Sequence, residues 1–167
     1  MAFQERQLVT VVVDLARFTQ AVAGMDATAI AEIVDRFYRE TASVIVDHGG
    51  RVVKYLGDGC LAVFPPDAAV AAVDAIDVLR ARVADLASGS GLALELGANI
   101  HLCTVAEGEF GIDDRYDVMG LGIVHTFRMG SGAGARISEP VYRKLPSDRR
   151  NAWTKWQAPA TYTLQTS

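Results

Sequence analysis

Cysteine is scarce in this 167-residue chain, which has only Cys60 and Cys103. The two share no C-x-x-C spacing, and no histidine near them completes a metal pattern. A disulfide framework or a zinc knuckle therefore has no support, and reduced core thiols of a cytoplasmic protein are expected. Positive charge is also in short supply: 16 Lys and Arg face 20 Asp and Glu, a formal net charge of −4. That leaves no basic field to hold nucleic acid. No apolar run approaches the length that crosses a bilayer, and no secretory signal pattern opens the sequence. Repeats, low-complexity tracts and linker-like stretches are missing too, so residues 1–167 are expected to form one domain. Together these absences predict a soluble cytoplasmic protein that engages neither nucleic acid nor membrane.

What is present is a strongly apolar chain, half of it hydrophobic, which favours a globular core over disorder. Residues 8–14 are a continuous apolar run ending at Asp14, the pattern of a buried strand. From Ala27, Ile30, Ile33, Val34, Phe37, Tyr38, Thr41, Val44 and Ile45 fall at helical spacing, with Asp26 as N-cap and Gly49-Gly50 as stop. Arg51 to Phe64 reads as a hairpin folded at Gly57-Asp58-Gly59. An Ala-rich helix over 67–87 is core packing, and Ser88 to Gly91 reads as a loop. A strand over 92–105, a turn at 113–115, a short strand at 116–119 and a short helix over 122–130 follow. A helical piece over 141–145 and a last strand over 161–164 close the chain. Strands alternating with helices, plus one hairpin, predict an α+β sandwich with a mostly antiparallel sheet.

Two carboxylates stand out, Asp14 at a strand end and Asp58 in a turn. Acidic groups presented at the ends of buried strands suit a divalent-metal and phosphate site. Each has a plainer alternative: Asp14 as an N-cap for the segment after it, Asp58 as an ordinary turn residue.

Around them lie Asp14-Leu-Ala-Arg-Phe-Thr19, Gly49-Gly-Arg-Val-Val-Lys-Tyr-Leu-Gly-Asp58, Gly108-Glu-Phe-Gly111, Tyr116-Asp-Val-Met-Gly120 and Arg128. In order and spacing this set resembles the catalytic domain of class III nucleotidyl cyclases, over nearly the whole length from Val9 to Leu164. The resemblance implies a ferredoxin-like α+β sandwich with helices packed on the sheet, and an adenylate cyclase that converts ATP to cyclic AMP and pyrophosphate. Asp14 and Asp58 would hold two Mg²⁺ or Mn²⁺ ions, which acidify the ribose 3′-hydroxyl and neutralise the triphosphate. The backbone at Phe18 and Thr19 would cradle the terminal phosphates. Lys54 and Asp117 match the pair that reads the purine, in the sense that favours adenine. Arg128 matches the arginine that steadies charge on the α-phosphate, and Lys155 matches a lysine that binds the terminal phosphates. Because the family divides its site between two subunits, a homodimer is implied.

Read without the resemblance, Lys54 and Asp117 are surface strand charges and Arg128 is a partner for a helix-surface carboxylate. His48, His101 and His125 carry no assigned role, and Trp153 and Trp156 are expected to seal the core or a dimer edge. Three positions depart from the family pattern. Val124 stands where an asparagine orients the ribose, Arg17 where the phosphate-binding turn has glycine, and Cys103 where a glycine is usual. They leave a second reading open, a slow or catalytically silent nucleotide-binding dimer that acts through partners.

Overall fold

A computed structural model describes residues 2–157 and 160–166. Its spine is β1 (Gln4–Ala16), which runs antiparallel to β4 (Glu95–Phe110) from the pair Gln4↔Glu107 to the pair Ala16↔Glu95. On its other edge β1 pairs antiparallel with β3 (Gly59–Phe64), the second arm of a hairpin that begins with β2 (Arg51–Leu56). Parallel pairing enters once among the described residues, where β6 (Gly134–Ser138) joins β4. Beyond it lie β8 (Thr161–Leu164) and β7 (Trp153–Gln157), and β5 (Arg115–Met119) folds back on the far end of β4. The eight strands form one sheet in the order β2-β3-β1-β4-β6-β8-β7, with β5 on β4. An α+β sandwich with a mostly antiparallel sheet is what the sequence predicts.

The apolar run of β1 is continuous because both faces of the strand are covered. Val9, Val11, Val13 and Leu15 pack under α2 (Ala27–Asp47) and α3 (Ala69–Ser90) with Phe37, Phe64, Ile76 and Leu79. Leu8 and Val12 join a smaller cluster with Leu61, Val105 and Val118 on the opposite face, closed by Ile123 of α4 (Leu121–Arg128). Asp26 caps α2, its Oδ1 accepting from Ala29 N at 2.8 Å. At the other end of α2, a Cβ on Gly50 would lie 2.6 Å from the Phe64 ring, so only glycine lets the chain turn there into β2.

Several expectations are corrected. Ser88 to Ser90 are helical, not loop: α3 runs on until Gly91 adopts φ +66 and Leu92 N returns to Ala87 O at 3.0 Å. The strand expected over 92–105 begins at Glu95 and reaches Phe110. A helix does open at Phe18 and Thr19, as expected, in the form of the single turn α1 (Phe18–Ala21), whereas the sequence reading passed over β6, α6 (Ser147–Arg150) and β7; between β6 and α6, the expected helical piece is α5 (Glu139–Lys144). No helix among the described residues is long and apolar enough to cross a membrane.

Two histidines lie in the seam between α4 and β4. The His101 and His125 rings meet edge to face at 4.7 Å, and the buried Nδ1 of His101 has no hydrogen-bond partner among the described residues. Burial, reinforced by the charge of His125, pushes His101 down to about 4 from its ordinary 6.5. The unfolded chain therefore takes up this proton first as pH falls. The contribution is fully present above the unfolded value and is lost progressively between 6.5 and about 4. Acidification across that window is predicted to destabilise the protein by about 2 kcal/mol through this residue, after allowance for its part exposure. Urea titrations at several pH values should show His101→Gln with a flatter acid limb than the wild type.

Candidate active site

The sheet brings the two singled-out carboxylates to one place. Asp14 is paired with Gly59 across β1 and β3, and Leu15 N donates to Asp58 O at 3.0 Å, which ties the hairpin turn to the end of β1. Gly57 supplies the turn's positive φ of 63, and its carbonyl accepts from the Tyr38 hydroxyl. Both aspartates line a cavity of about 210 Å³ on the α4 side of the sheet, with Gly97, Asn99, Phe127 and Arg136 around them. A Cβ on Gly97 would lie 2.5 Å from Asp14 Oδ1 and 2.4 Å from Gly132 O, so the carboxylate has room only because residue 97 is glycine.

Asp14 Oδ1 is buried and has no hydrogen-bond partner among the described residues. Burial first, then the nearby Asp58 charge, raise the Asp14 carboxyl above its ordinary range, while Arg136 pulls it back. An orphaned carboxylate oxygen beside a second carboxylate is the donor set a hard divalent cation takes. Such a cation would also supply the charge that the buried oxygen lacks. The residues therefore fit a metal ion, which Asp14 and Asp58 would hold. Asp14 is not an N-cap: the residue that leads into α1 is Arg17.

Lys54 and Asp117, expected to read the purine, are brought together, but away from that cavity. Lys54 Nζ on β2 donates to Asp117 Oδ2 on β5 at 2.7 Å, and Asp117 Oδ1 accepts from Val118 N at 2.7 Å. Neither side chain lines the cavity of Asp14 and Asp58. Arg128 ends α4 exposed, with no hydrogen bond or ion pair among the described residues, so it has not found a helix-surface carboxylate. Phe18 and Thr19 open the single turn of α1, and Lys155 is exposed on β7 at the edge of the sheet. One chain thus carries a carboxylate cavity and, outside it, an ion pair and an unpaired arginine.

The three departures have distinct structural meanings. Arg17 sits in the left-handed region at φ 59, the conformation for which glycine is the ordinary choice, and its guanidinium pairs with Glu95 outside the cavity. Cys103 is a packing change, because a Cβ on Gly122 of α4 would lie 2.4 Å from its Sγ. Val124 is 40% exposed, and the neighbouring His125 is turned inward against His101, so it does not take over a polar role at that surface.

Sequence reasoning missed Arg136 and Asn99. Arg136 is only 6% exposed; its Nε donates to Asn99 Oδ1 at 2.6 Å, and its terminal nitrogens donate to Ser131 O at 3.2 Å and Gly132 O at 3.1 Å. Asn99 Nδ2 in turn donates to Thr126 O and Gly130 O, joining β4, β6 and the end of α4. The signal was an arginine inside the apolar segment Ala135-Arg136-Ile137.

Solved structures share this architecture over nearly all of its length. The adenylyl cyclase CyaB from P. aeruginosa superposes with a TM-score of 0.86 over 100% of this chain and 97% of its own, at 18% identity. The guanylyl cyclase Cya2 gives 0.85 over 98% and 93%, at 22% identity. The chain has the fold of a class III nucleotidyl cyclase catalytic domain. A further neighbour, the guanylate cyclase domain of RhGC from Catenaria anguillulae in complex with GTP, gives 0.83 at 15% identity, over 97% of this chain and 98% of its own. No protein-family model matches the sequence. Uncharacterised proteins of Mycobacterium tuberculosis and Mycobacterium bovis are 30% identical over 175 aligned positions, covering 97% of this chain and 30% of theirs. The chain thus spans about a third of the length of the curated relatives it matches.

A raised carboxyl costs the metal-free fold stability once it ionises, since the unfolded aspartate loses its proton more readily. Asp14→Asn is therefore predicted to raise the stability of the metal-free protein at pH 7 by about 1 kcal/mol. Its urea midpoint should rise; a clear fall would mean that the carboxylate is held by contacts the fold does not reveal.

Proposed function

We propose that the chain is an adenylate cyclase domain, converting ATP to 3′,5′-cyclic AMP and pyrophosphate in a site shared by two copies. The observation that carries this reading is the partnerless Asp14 oxygen beside Asp58 in one cavity, in a chain with the cyclase fold. A divalent cation bound there would offset triphosphate charge and acidify the ribose 3′-hydroxyl. In the reaction the 3′-oxygen attacks the α-phosphorus, the bond to pyrophosphate breaks and the hydroxyl proton leaves to solvent.

Each protein group has its part. Asp14 and Asp58 would hold the cation that steadies the reacting end of the nucleotide, and the opening turn of α1 at Phe18 and Thr19 presents backbone N–H groups to the terminal phosphates. Lys155 adds a positive charge for those phosphates. Asp117 accepts from the exocyclic amine of adenine while Lys54 donates to a ring nitrogen; guanine presents the reverse pattern. The 2.7 Å bond between them must open to admit the base, so only a base that replaces both halves of that bond is bound well. Arg128 is free to meet the α-phosphate as charge grows on it.

Because Lys54, Asp117 and Arg128 lie outside the cavity of their own chain, a second copy must bring them to it. Leu121, Val124 and Phe127 leave an apolar stripe uncovered along α4, which supports a homodimer. Val124 also favours a second reading, a dimer that binds nucleotide without turning it over, because a valine side chain cannot hold a ribose hydroxyl.

Incubation with Mn²⁺ and each of ATP, GTP, CTP and UTP, with products identified by mass spectrometry, separates the readings. Cyclic AMP is expected from ATP, and Asp58→Ala is expected to lower its rate by about two to three orders of magnitude. Product from GTP alone would reverse the base assignment, and no product from any nucleotide would leave the silent dimer. Val124→Asn in the same assay should raise turnover if the ribose contact is what the chain lacks.

A further inference from the structure

Strands β2 and β5 carry the two halves of the Lys54–Asp117 pair, yet among the described residues no backbone ladder joins them: β2 pairs with β3, and β5 with β4. Their separation is therefore set by side chains. Val53 of β2 packs into the same apolar cluster as Val118 of β5, a contact without direction. Two directed contacts join the strands among the described residues. One is the Lys54–Asp117 bond itself. In the other the Arg51 guanidinium lies over the Tyr116 ring, 3.5 Å from its centroid.

A bulge makes the second contact possible. The register of β2 on β3 shifts between Val52 and Lys54, so Arg51 stands opposite Val63 and Lys54 opposite Leu61. Residues three apart in a regular strand point to opposite faces; the extra residue, Val53, returns Arg51 and Lys54 to one face. It is the face of Leu61, Val63 and Val118. There two side chains of β2 grip adjacent residues of β5, Tyr116 and Asp117. Tyr116 is held in turn, because its hydroxyl donates to Glu107 Oε2 at 3.0 Å and Glu107 Oε1 accepts from Arg6 Nη1 at 2.8 Å. Burial and the bond to Glu107 push the Tyr116 hydroxyl up to about 12, and the bond from Arg6 holds the Glu107 carboxyl below its ordinary range. The hydroxyl thus remains a donor, and the carboxylate an acceptor, at neutral pH.

When a base enters, it replaces both halves of the Lys54–Asp117 bond, and that tie between the strands is lost. Arg51 on Tyr116 is the directed contact that remains. We infer that Arg51, stacked on Tyr116, is a positioning residue for base selection, holding β2 at a fixed distance from β5 while a base occupies Lys54 and Asp117. The inference rests on the assignment of those two residues as the purine pair. Adenine is told from guanine by where a donor and an acceptor stand relative to each other. At a fixed spacing the wrong base leaves both protein groups unpaired, whereas strands free to drift let each side chain find some edge of either base. Arg51 needs no contact with the nucleotide for this.

The test reads binding rather than turnover. The whole 167-residue chain is titrated calorimetrically, in Mn²⁺, with 3′-deoxy-ATP and with 3′-deoxy-GTP, neither of which can cyclise. The wild type is expected to favour the adenine nucleotide. Arg51→Ala, a change at an exposed position, is expected to weaken 3′-deoxy-ATP by at least about fivefold and 3′-deoxy-GTP by less than about twofold, so that the preference falls. Arg51→Lys, which keeps a cation beside the ring, should lie between the two. Adding Tyr116→Leu to Arg51→Ala should cost little further preference, because the two residues make one contact. An equal loss of both nucleotides would mark a merely structural contact and overturn the inference, as would a wild-type preference that Arg51→Ala leaves intact; the purine assignment survives either result. A wild type that binds neither nucleotide, both alike or the guanine nucleotide better would overturn the purine assignment and this inference together. The Arg51→Ala titration decides the matter even if the variant that carries Tyr116→Leu does not fold.

Discussion

The register between β1 and its two neighbours is the constraint on which everything else depends. Asp14 faces Gly59 on one side and Gly97 on the other, and each of those contacts is set by the pleat. A one-residue slip would turn Asp14 toward the α2–α3 layer and put Val13 in the cavity, leaving Asp58 with no carboxylate partner. The slip is opposed by the buried faces themselves. Val9, Val11 and Val13 have their places under the long helices, and Leu8 and Thr10 have theirs under α4. Thr10 Oγ1 is held by Thr126 Oγ1 at 2.8 Å and by His101 O at 3.0 Å, so even the buried polar side chain of this strand has partners on one face only. Core packing and the placing of the site are thus one interaction seen from its two sides.

The site in turn opposes the stability of the fold. A carboxylate oxygen without a partner, a like charge beside it and a buried guanidinium are each unfavourable in a metal-free interior. On the proposed function their coexistence in one cavity is intelligible, because a cation and a polyphosphate would complete it from outside. The left-handed backbone at Arg17 has the same character. Its strain stands at the opening of α1, where the chain must turn sharply from the end of β1, and the ion pair with Glu95 offsets part of it.

Where sequence and structure agree, the signals were local. The hairpin at Gly57-Asp58-Gly59, the Asp26 cap and the helical stripe of α2 each follow from a few adjacent residues. The pairing of Lys54 with Asp117, 63 positions apart, was anticipated through the family resemblance and not by any periodicity. What escaped reading was non-local or disguised. Strand β6 carries an arginine in a buried position, which breaks the apolar pattern, and its justification lies on β4, with Asn99. The Ser-Gly-Ser-Gly stretch after α3 looks like a loop, yet only Gly91 needs the special conformation and the residues before it stay helical. Arg17 gave no sign that its side chain would be spent on Glu95, because that contact depends on the terminal pair of the β1–β4 ladder, Ala16 and Glu95.

The proposed function divides the site: one chain carries two half-sites, the carboxylate cavity and the outlying Lys54–Asp117 pair with Arg128, which complete each other only between copies. It is tested most directly by mixing Asp58→Ala with Arg128→Ala, each defective in a different half. Split sites predict that cyclase activity, strongly reduced in either variant alone, returns on mixing to about a quarter of the wild-type value, since half of the random pairs are mixed and each restores one of two sites. A mixture no more active than its components would contradict the division of the site between two copies.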